Sequence, residues 1–347
     1  MPQKLLLVAG ATGKQGQALV NALNLTSQSQ PSNEFIVWAL TRTKSSSAAQ
    51  ALASQYPQHL TVIQCNLDTP DEVRQVFENA KREKGGVWGV FCVLAFPGLG
   101  ASTEGEERQG KTLADLSAEF GVSSFIYTSS ERGGEYYDDY RAKADRLSKV
   151  MIERHVRALG ESKGLPWTIL RPGFFVENYE GTIGAITVGV LKSGLQATTK
   201  VQMVAVDDIG QVAARIFMNP QPHNRQIFAI VGECSTMAEQ DESYKRATGY
   251  ALPAIPSFLA WPLLSLNTHV KSLITDIERV HSARSGGELC PEVEGQIAAA
   301  REVYPGMKTV EMWARETKEK SQAQGGNGSV SAGWNQVSIL KLITGRQ

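Results

Sequence analysis

Leu5-Leu6-Leu7-Val8-Ala9 runs directly into Gly10-Ala11-Thr12-Gly13-Lys14-Gln15-Gly16, and this stretch decides the fold. Five consecutive apolar residues followed by glycines at GxxGxxG spacing predict a buried strand, a sharp turn and the start of a helix. Glycines in such a turn let the backbone approach a diphosphate without a Cβ in the way. The helix that follows points free N–H groups and the positive end of its dipole at the phosphates. A glycine-rich heptad alone is a weak signal, and a purely structural tight turn is the alternative. The strand before it and the helical pattern after it favour a phosphate site.

Outward from this unit, two periodicities alternate. Short apolar runs at 5–9, 35–40, 60–65, 87–94 and 124–127 read as strands, and the stretches 15–25, 45–56, 69–84 and 104–120 have helical period. Strands apolar on both faces and separated by helices predict a parallel sheet covered on both sides. The right-handed crossover rule makes it a doubly wound α/β sheet. Further strands are expected at 166–170 and 226–231. A helix is expected from Asp207-Asp208 with a stripe of Ile209, Val212, Ala213, Ile216 and Phe217, and others at 238–248, 270–284 and 291–303. The expected division is one unit over 1–320. Its core lies mainly in 1–165, a smaller C-terminal lobe forming a substrate pocket lies mainly in 166–320, and 321–347 is a flexible tail. The polar stretch 26–33 lengthens the first crossover. The Gly/Ser/Asn/Gln-rich stretch 321–331 reads as a linker ahead of an apolar patch at Ile339, Leu340, Leu342 and Ile343.

Lys and Arg total 35 and so do Asp and Glu, so the formal net charge is zero. That balance points to neither nucleic acid nor an anionic membrane, and it lowers the barrier to self-association into a homodimer. Cys65, Cys92, Cys234 and Cys290 form no CxxC pair and read as reduced core thiols, which suits a soluble cytoplasmic protein. The five histidines show no metal-ligand spacing, so no metal is expected. The first residues lead into the strand rather than into a secretory signal. The apolar stretch 252–266 is broken by prolines and too short to span a bilayer, so core or pocket wall is expected there.

The second strand ends in Thr41-Arg42-Thr43-Lys44-Ser45. An acidic residue there would bind the ribose of NAD, whereas a guanidinium accommodates the 2′-phosphate of NADP. No carboxylate is present, so NADP is expected, the alternative being that Arg42 is an exposed loop cation. Asn66 and Leu67 after the third strand fit the edge and face of an adenine pocket. Asp68 is read as the cap of the helix starting at Thr69-Pro70. Leu94-Ala95-Phe96 after the fourth strand should flank the diphosphate and the nicotinamide ribose. On the helix expected from about 140 to 159, Lys149 lies in register with Ile152, Val156 and Leu159. A lysine extending an apolar stripe either snorkels or points into a cleft, and its helical neighbour Glu153 stands in the weaker order for an ion pair.

These residues together resemble the NmrA-like family of atypical short-chain dehydrogenases. The resemblance rests on Gly10–Gly16, Arg42, Gln109-Gly110-Lys111, Tyr127-Thr128-Ser129-Ser130 and Lys149-x-x-x-Glu153. It continues through Arg171-Pro172-Gly173-Phe174-Phe175-Val176-Glu177-Asn178 and Val206-Asp207-Asp208-Ile209-Gly210. It implies a Rossmann-like doubly wound sheet with a smaller C-terminal lobe and a preference for NADP. It implies a cofactor site of Gly10, Ala11, Thr12, Gly13, Lys14, Gln15, Arg42, Asn66, Leu67, Leu94, Ala95, Phe96, Lys149, Phe175, Val176, Glu177 and Asn178. Many short-chain dehydrogenases use a Tyr with a Lys four residues later. Here Tyr136, Tyr137 and Tyr140 are followed four on by Tyr140, Arg141 and Ala144. Two readings follow. One is an NADP(H)-dependent oxidoreductase acting on a small organic molecule, with Lys149 catalytic. The other is a non-catalytic redox sensor that regulates a partner protein.

Overall fold

The computed structural model describes residues 3–23, 34–95, 103–136, 138, 144–285 and 290–323. The expectations for Phe96, for 26–33 and for the tail beyond 323 lie outside the described residues.

Ten strands are present among the described residues: β1 (Lys4–Ala9), β2 (Phe35–Thr41), β3 (Leu60–Gln64), β4 (Gly89–Cys92), β5 (Ser124–Thr128), β6 (Trp167–Pro172), β7 (Phe174–Phe175), β8 (Val201–Val204), β9 (Gln226–Ile230) and β10 (Glu233–Ser235). The helices are α1 (Lys14–Ala22), α2 (Ser47–Gln55), α3 (Pro70–Lys84), α4 (Glu104–Glu119), α5 (Ala144–Ser162), α6 (Gly181–Gly194), α7 (Val206–Met218), α8 (Met237–Thr248), α9 (Ser257–Leu266), α10 (Thr268–Ser285), α11 (Pro291–Val303) and α12 (Val310–Ala323). Seven strands form one sheet in the order β3-β2-β1-β4-β5-β6-β9, and every pairing in it is parallel. The order reverses between β1 and β4, which is where such sheets open a crevice at their carboxyl ends.

The alternation of side chains along β1 divides the core into two layers. Leu6 and Val8 pack with Leu19, Val20 and Leu23 at α1 and with Ile209, Val212 and Ile216 of α7. Leu5, Leu7 and Ala9 pack on the other side with Val73, Val76 and Phe77 of α3 and with Ile152, Val156 and Leu159 of α5. The apolar stripe read from the sequence of α5 is therefore core. Helix α3 carries standard end signals: Pro70 in its first turn, Asp71 and Glu72 beside it, basic residues in the last turn and a left-handed Gly85 after it.

The chain after residue 165 contributes to both parts. Strands β6 and β9 and helix α7 belong to the main sheet, while β7, β8 and β10 form a separate three-stranded sheet. That small sheet and α6, α8, α10 and α12 enclose their own core around Val176, Tyr179, Val188, Leu191, Met203 and Trp313. The stretch 252–266 meets the expectation in part. Leu252, Ala260 and Leu263 are core, but α9, with Pro262 inside it, leaves Phe258, Trp261 and Leu266 exposed. No helix among the described residues is long and apolar enough to cross a membrane.

Candidate functional site

Strand β1 ends at Ala9, and Gly10 turns the chain with φ +73°. A Cβ at Gly10 would lie 2.4 Å from the carbonyl oxygen of Val93, just past β4. Only glycine fits, because the turn is both left-handed and pressed against the neighbouring strand end. Gly13 then precedes α1 as an extended, exposed residue, and no side chain caps the helix. The first-turn amides of α1 thus have no side-chain cap, and Gly10, Gly13 and Gly16 keep Cβ atoms out of the turn, the arrangement a diphosphate requires. The residues present therefore fit a dinucleotide.

Two side chains of this turn tie it to the rest of the crevice. Gln15 Oε1 accepts from Thr128 Oγ1 at 2.9 Å, joining the turn to the end of β5. Lys14 Nζ pairs with Glu180 at 3.0 Å, joining it to the residue that precedes α6. Thr12 and Lys14 are half-buried, while Ala11 is core.

The other expected contacts lie at the carboxyl ends of β2, β3, β4 and β6. Arg42 follows β2, is exposed, and makes no ion pair or hydrogen bond with the described residues. Asn66 follows β3, but its side chain is used within the turn. Its Oδ1 accepts from Asp68 N at 3.2 Å, and its Nδ2 donates to Thr69 Oγ1 at 3.3 Å. Asp68 does not cap α3. The residue preceding that helix is Thr69, and Asp68 Oδ1 instead accepts from Gln109 Nε2 at 2.8 Å. Leu94 is buried, and Ala95 is exposed beside it.

After β6, Phe175 packs against the main core, and the side chain of Val176 is buried in the lobe. Asn178 is half-buried. Glu177 Oε1 accepts from the amide of Val206 at the start of α7 at 2.9 Å, while Oε2 is buried with no partner among the described residues. Burial pushes the Glu177 carboxyl up to about 7, against the pull of the Val206 amide and of Lys14. Helix α7 in turn lies directly on α1, since a Cβ on Gly210 would be 2.3 Å from the backbone of Ala18. The 175–180 segment, α7 and the glycine-rich turn therefore form one connected unit.

Lys149 is placed by the contact of α4 with α5. Gly110 admits the side chain of Ile152, whose Cδ1 lies 2.6 Å from where a Cβ would stand. This close approach brings Glu106, buried in the first turn of α4, to Lys149. Lys149 Nζ donates to Glu106 Oε1, and Ser148 Oγ donates to Oε2 at 3.0 Å. The pair adjoins the end of β4, where burial raises the Cys92 thiol and the Glu106 charge raises it further. Glu153 is not the partner of Lys149. It is buried between two guanidiniums, accepting from Arg132 Nη1 at 2.8 Å and from Arg171 Nη2. Arg132 also binds Asp138 at 2.7 Å, and Arg171, fully buried, reaches Glu135 at 2.7 Å. Burial alone would raise the Glu153 carboxyl, but the two guanidinium charges reverse this and hold it at about 2. The role of Arg171 in the Arg-Pro-Gly-Phe-Phe segment is thus to anchor α5 to β6.

Glu106, Glu180 and Arg132 were not foreseen from the sequence. Glu106 and Lys149 are 43 positions apart and Lys14 and Glu180 166 apart, so no spacing rule links either pair.

Comparison with known proteins agrees with this architecture. The NmrA-like family model matches residues 2–314, and the chain belongs to that family. It is 24% identical over 347 residues to the NmrA-like family domain-containing oxidoreductase ptmS of Penicillium ochrochloron, covering 90% of this chain and 98% of the relative. Among solved structures it is similar to NmrA, a negative transcriptional regulator determined with NAD and with NADP. Each comparison gives a TM-score of 0.65 at 19% identity, covering 94% of this chain and 98% of NmrA. It is also similar to the triphenylmethane reductase of Citrobacter sp. complexed with NADP(H), with a TM-score of 0.60 at 16% identity over 90% of this chain and 99% of the reductase.

Proposed function

We propose that this protein is an NADP(H)-dependent oxidoreductase that transfers a hydride to or from a small organic molecule. The observation that carries the reading is the glycine cradle at Gly10–Gly16 together with the exposed guanidinium of Arg42 at the next strand end, which has no ion-pair partner among the described residues. Relatives named as oxidoreductases, and a reductase of the same fold determined with NADP(H), support it.

In this reading the cofactor, when bound, supplies the hydride. The backbone of Gly10, Ala11, Thr12 and Gly13 and the amides of Lys14 and Gln15 hold the diphosphate, with Lys14 adding charge. Arg42 takes the 2′-phosphate. Asn66 and Leu67 border the adenine; the Asn66 side chain is held within its own turn and its backbone N–H by Glu72, so Asn66 shapes the edge of the pocket. Leu94 and Ala95 flank the ribose on the nicotinamide side. Phe175, Val176, Glu177 and Asn178 close the opposite wall and exclude water. Lys149 holds a proton at Nζ for the substrate oxygen, and Glu106 is its counter-charge.

A second reading, a cofactor-dependent sensor without turnover, is favoured by one observation: the Lys149 ammonium is already committed to Glu106. NmrA, of the same fold, is a negative transcriptional regulator.

Calorimetric titration of NADPH and NADH into the wild type and Arg42→Ala tests the cofactor. NADPH should bind more tightly, and the variant should lose most of that preference. Equal affinities in the wild type would defeat the assignment. Carbonyl and enone compounds are then screened by loss of reduced-nicotinamide absorbance with wild type and Lys149→Ala. A substrate turned over equally by both removes the lysine from the mechanism. Tight cofactor binding with no turnover, and a partner whose affinity follows the cofactor, supports the sensor.

A further inference from the structure

Helix α9, Ser257-Phe258-Leu259-Ala260-Trp261-Pro262-Leu263-Leu264-Ser265-Leu266, contains no charged residue. One side of it is core: Ala260 and Leu263 pack with Val190 of α6 and Val270 of α10, and Leu264 joins them. At 100° per residue the remaining positions fall on the opposite arc. There Phe258 is 71% exposed, Trp261 69%, Leu266 83% and Leu259 50%. A helix apolar on all sides is normally covered on all sides, and a contiguous exposed apolar face marks an interaction site.

Size and position say what covers it. At about 150–250 Å² per aromatic side chain, the exposed parts of Phe258 and Trp261 come to roughly 200–350 Å². Even with the two leucines this falls short of the roughly 800 Å² each partner buries in a stable dimer. A short segment tethered nearby needs far less area, because its effective concentration is of millimolar order. The chain beyond Ala323 contains such a segment. A Gly/Ser/Asn/Gln-rich stretch leads to Val337-Ser338-Ile339-Leu340-Lys341-Leu342-Ile343, and residues 324–347 contain no Asp or Glu. Its departure point lies within reach. On α12, Lys318 Nζ donates to the carbonyl oxygen of Thr248 at 3.1 Å. Thr248 ends α8, and the nine residues to Ser257 place the start of α9 within about 30 Å of that anchor. Ala323 stands about 7.5 Å further along α12, and residues 324–338 reach roughly 50 Å at full stretch.

We infer that the apolar segment Ile339–Ile343 of this same chain docks on the Phe258/Leu259/Trp261/Leu266 face of α9. The interaction is intramolecular and apolar. It shields α9 from water and from other copies.

Amide hydrogen exchange on the full-length chain, read by mass spectrometry at micromolar concentration alongside light scattering, tests it. In the wild type, amides 339–343 should exchange about tenfold or more slowly than those of the 325–331 stretch, in a monomer. The double variant Phe258→Ser/Trp261→Ser, altered only at exposed positions, should return 339–343 to the free rate. The reciprocal variant Leu340→Asp/Ile343→Asp should speed exchange in α9 and raise binding of a hydrophobic dye. Free-peptide exchange of 339–343 in the wild type overturns the inference, as does protection that survives the α9 variant. Protection that vanishes on dilution together with a dimer overturns it in favour of a second copy.

Discussion

A Cβ on Gly16 would stand 2.4 Å from the carbonyl oxygen of Gly10, which places the first turn of α1 in direct contact with the turn that precedes it. Six residues apart, the two glycines shape the cradle from opposite ends: Gly10 by its left-handed backbone, Gly16 by the absence of a side chain. Gly16 sits within the helix and is buried, so its need for glycine comes from packing and not from φ. Gly16→Ala has no soft neighbour to displace, because the clashing atoms are the backbone of Gly10 and Ala11. We expect a loss of about 1–3 kcal/mol in stability and, in calorimetry, NADPH binding weakened by an order of magnitude or more as α1 is pushed off the diphosphate position. Unchanged affinity in a folded Gly16→Ala variant would separate the cradle from cofactor binding.

The Lys14–Glu180 pair leads to opposite signs at its two ends. A diphosphate on the cradle would draw on the ammonium that Glu180 now holds. Lys14→Met should weaken NADPH binding and flatten its dependence on salt. Glu180→Gln, which removes a competitor, should tighten binding by up to about fivefold, the limit set by a partly exposed ion pair of 0.2–1 kcal/mol. Both are read from titrations at low and at physiological ionic strength. Weakening by both variants would mean that the pair supports the bound state and does not compete with it.

The main sheet was legible because its strands are buried on both faces. Continuous runs such as Leu5–Ala9 and Phe35–Leu40 admit few other readings once helical stretches separate them. The small sheet was not legible: β7 and β10 are two and three residues long and show no period. Helix α6 was hidden by its composition. It carries four glycines and several β-branched residues, and three of those glycines, Gly184, Gly189 and Gly194, let it lie against Tyr179, Ile255 and Ile274. At the site, the glycine turn and the strand-end residues could be found from position alone, since topology puts all strand ends on one edge. What those side chains do there could not. Asn66 is spent in its own turn, and Glu153 answers two arginines instead of Lys149, because these choices depend on contacts between distant segments.

From the buried carboxyls we expect a stability maximum on the acid side of neutrality. Glu177 and Asp208 are pushed up by burial, to about 7 and about 6, from ordinary values of 4.5 and 3.8. Folding therefore favours their protonated forms. The stability they contribute is complete below the unfolded values and is lost as pH rises through 6 and 7, on the order of 3 kcal/mol for each group at most. Glu153 has the opposite sign. Held at about 2 by Arg132 and Arg171, it stabilises the fold above pH 4.5 and ceases to do so as pH falls toward 2. The two trends cross near pH 5. Urea midpoints measured from pH 3 to 9 should peak there and decline toward pH 8. Glu177→Gln and Asp208→Asn each retain an oxygen for the amide they now bind, that of Val206 and that of Lys308. Each should leave the midpoint at pH 5 nearly unchanged and raise it at pH 8, flattening the alkaline side. A wild-type midpoint that climbs steadily from pH 5 to 8 would show that these two carboxyls are ionised in the folded protein at no cost, and that water reaches Oε2 of Glu177.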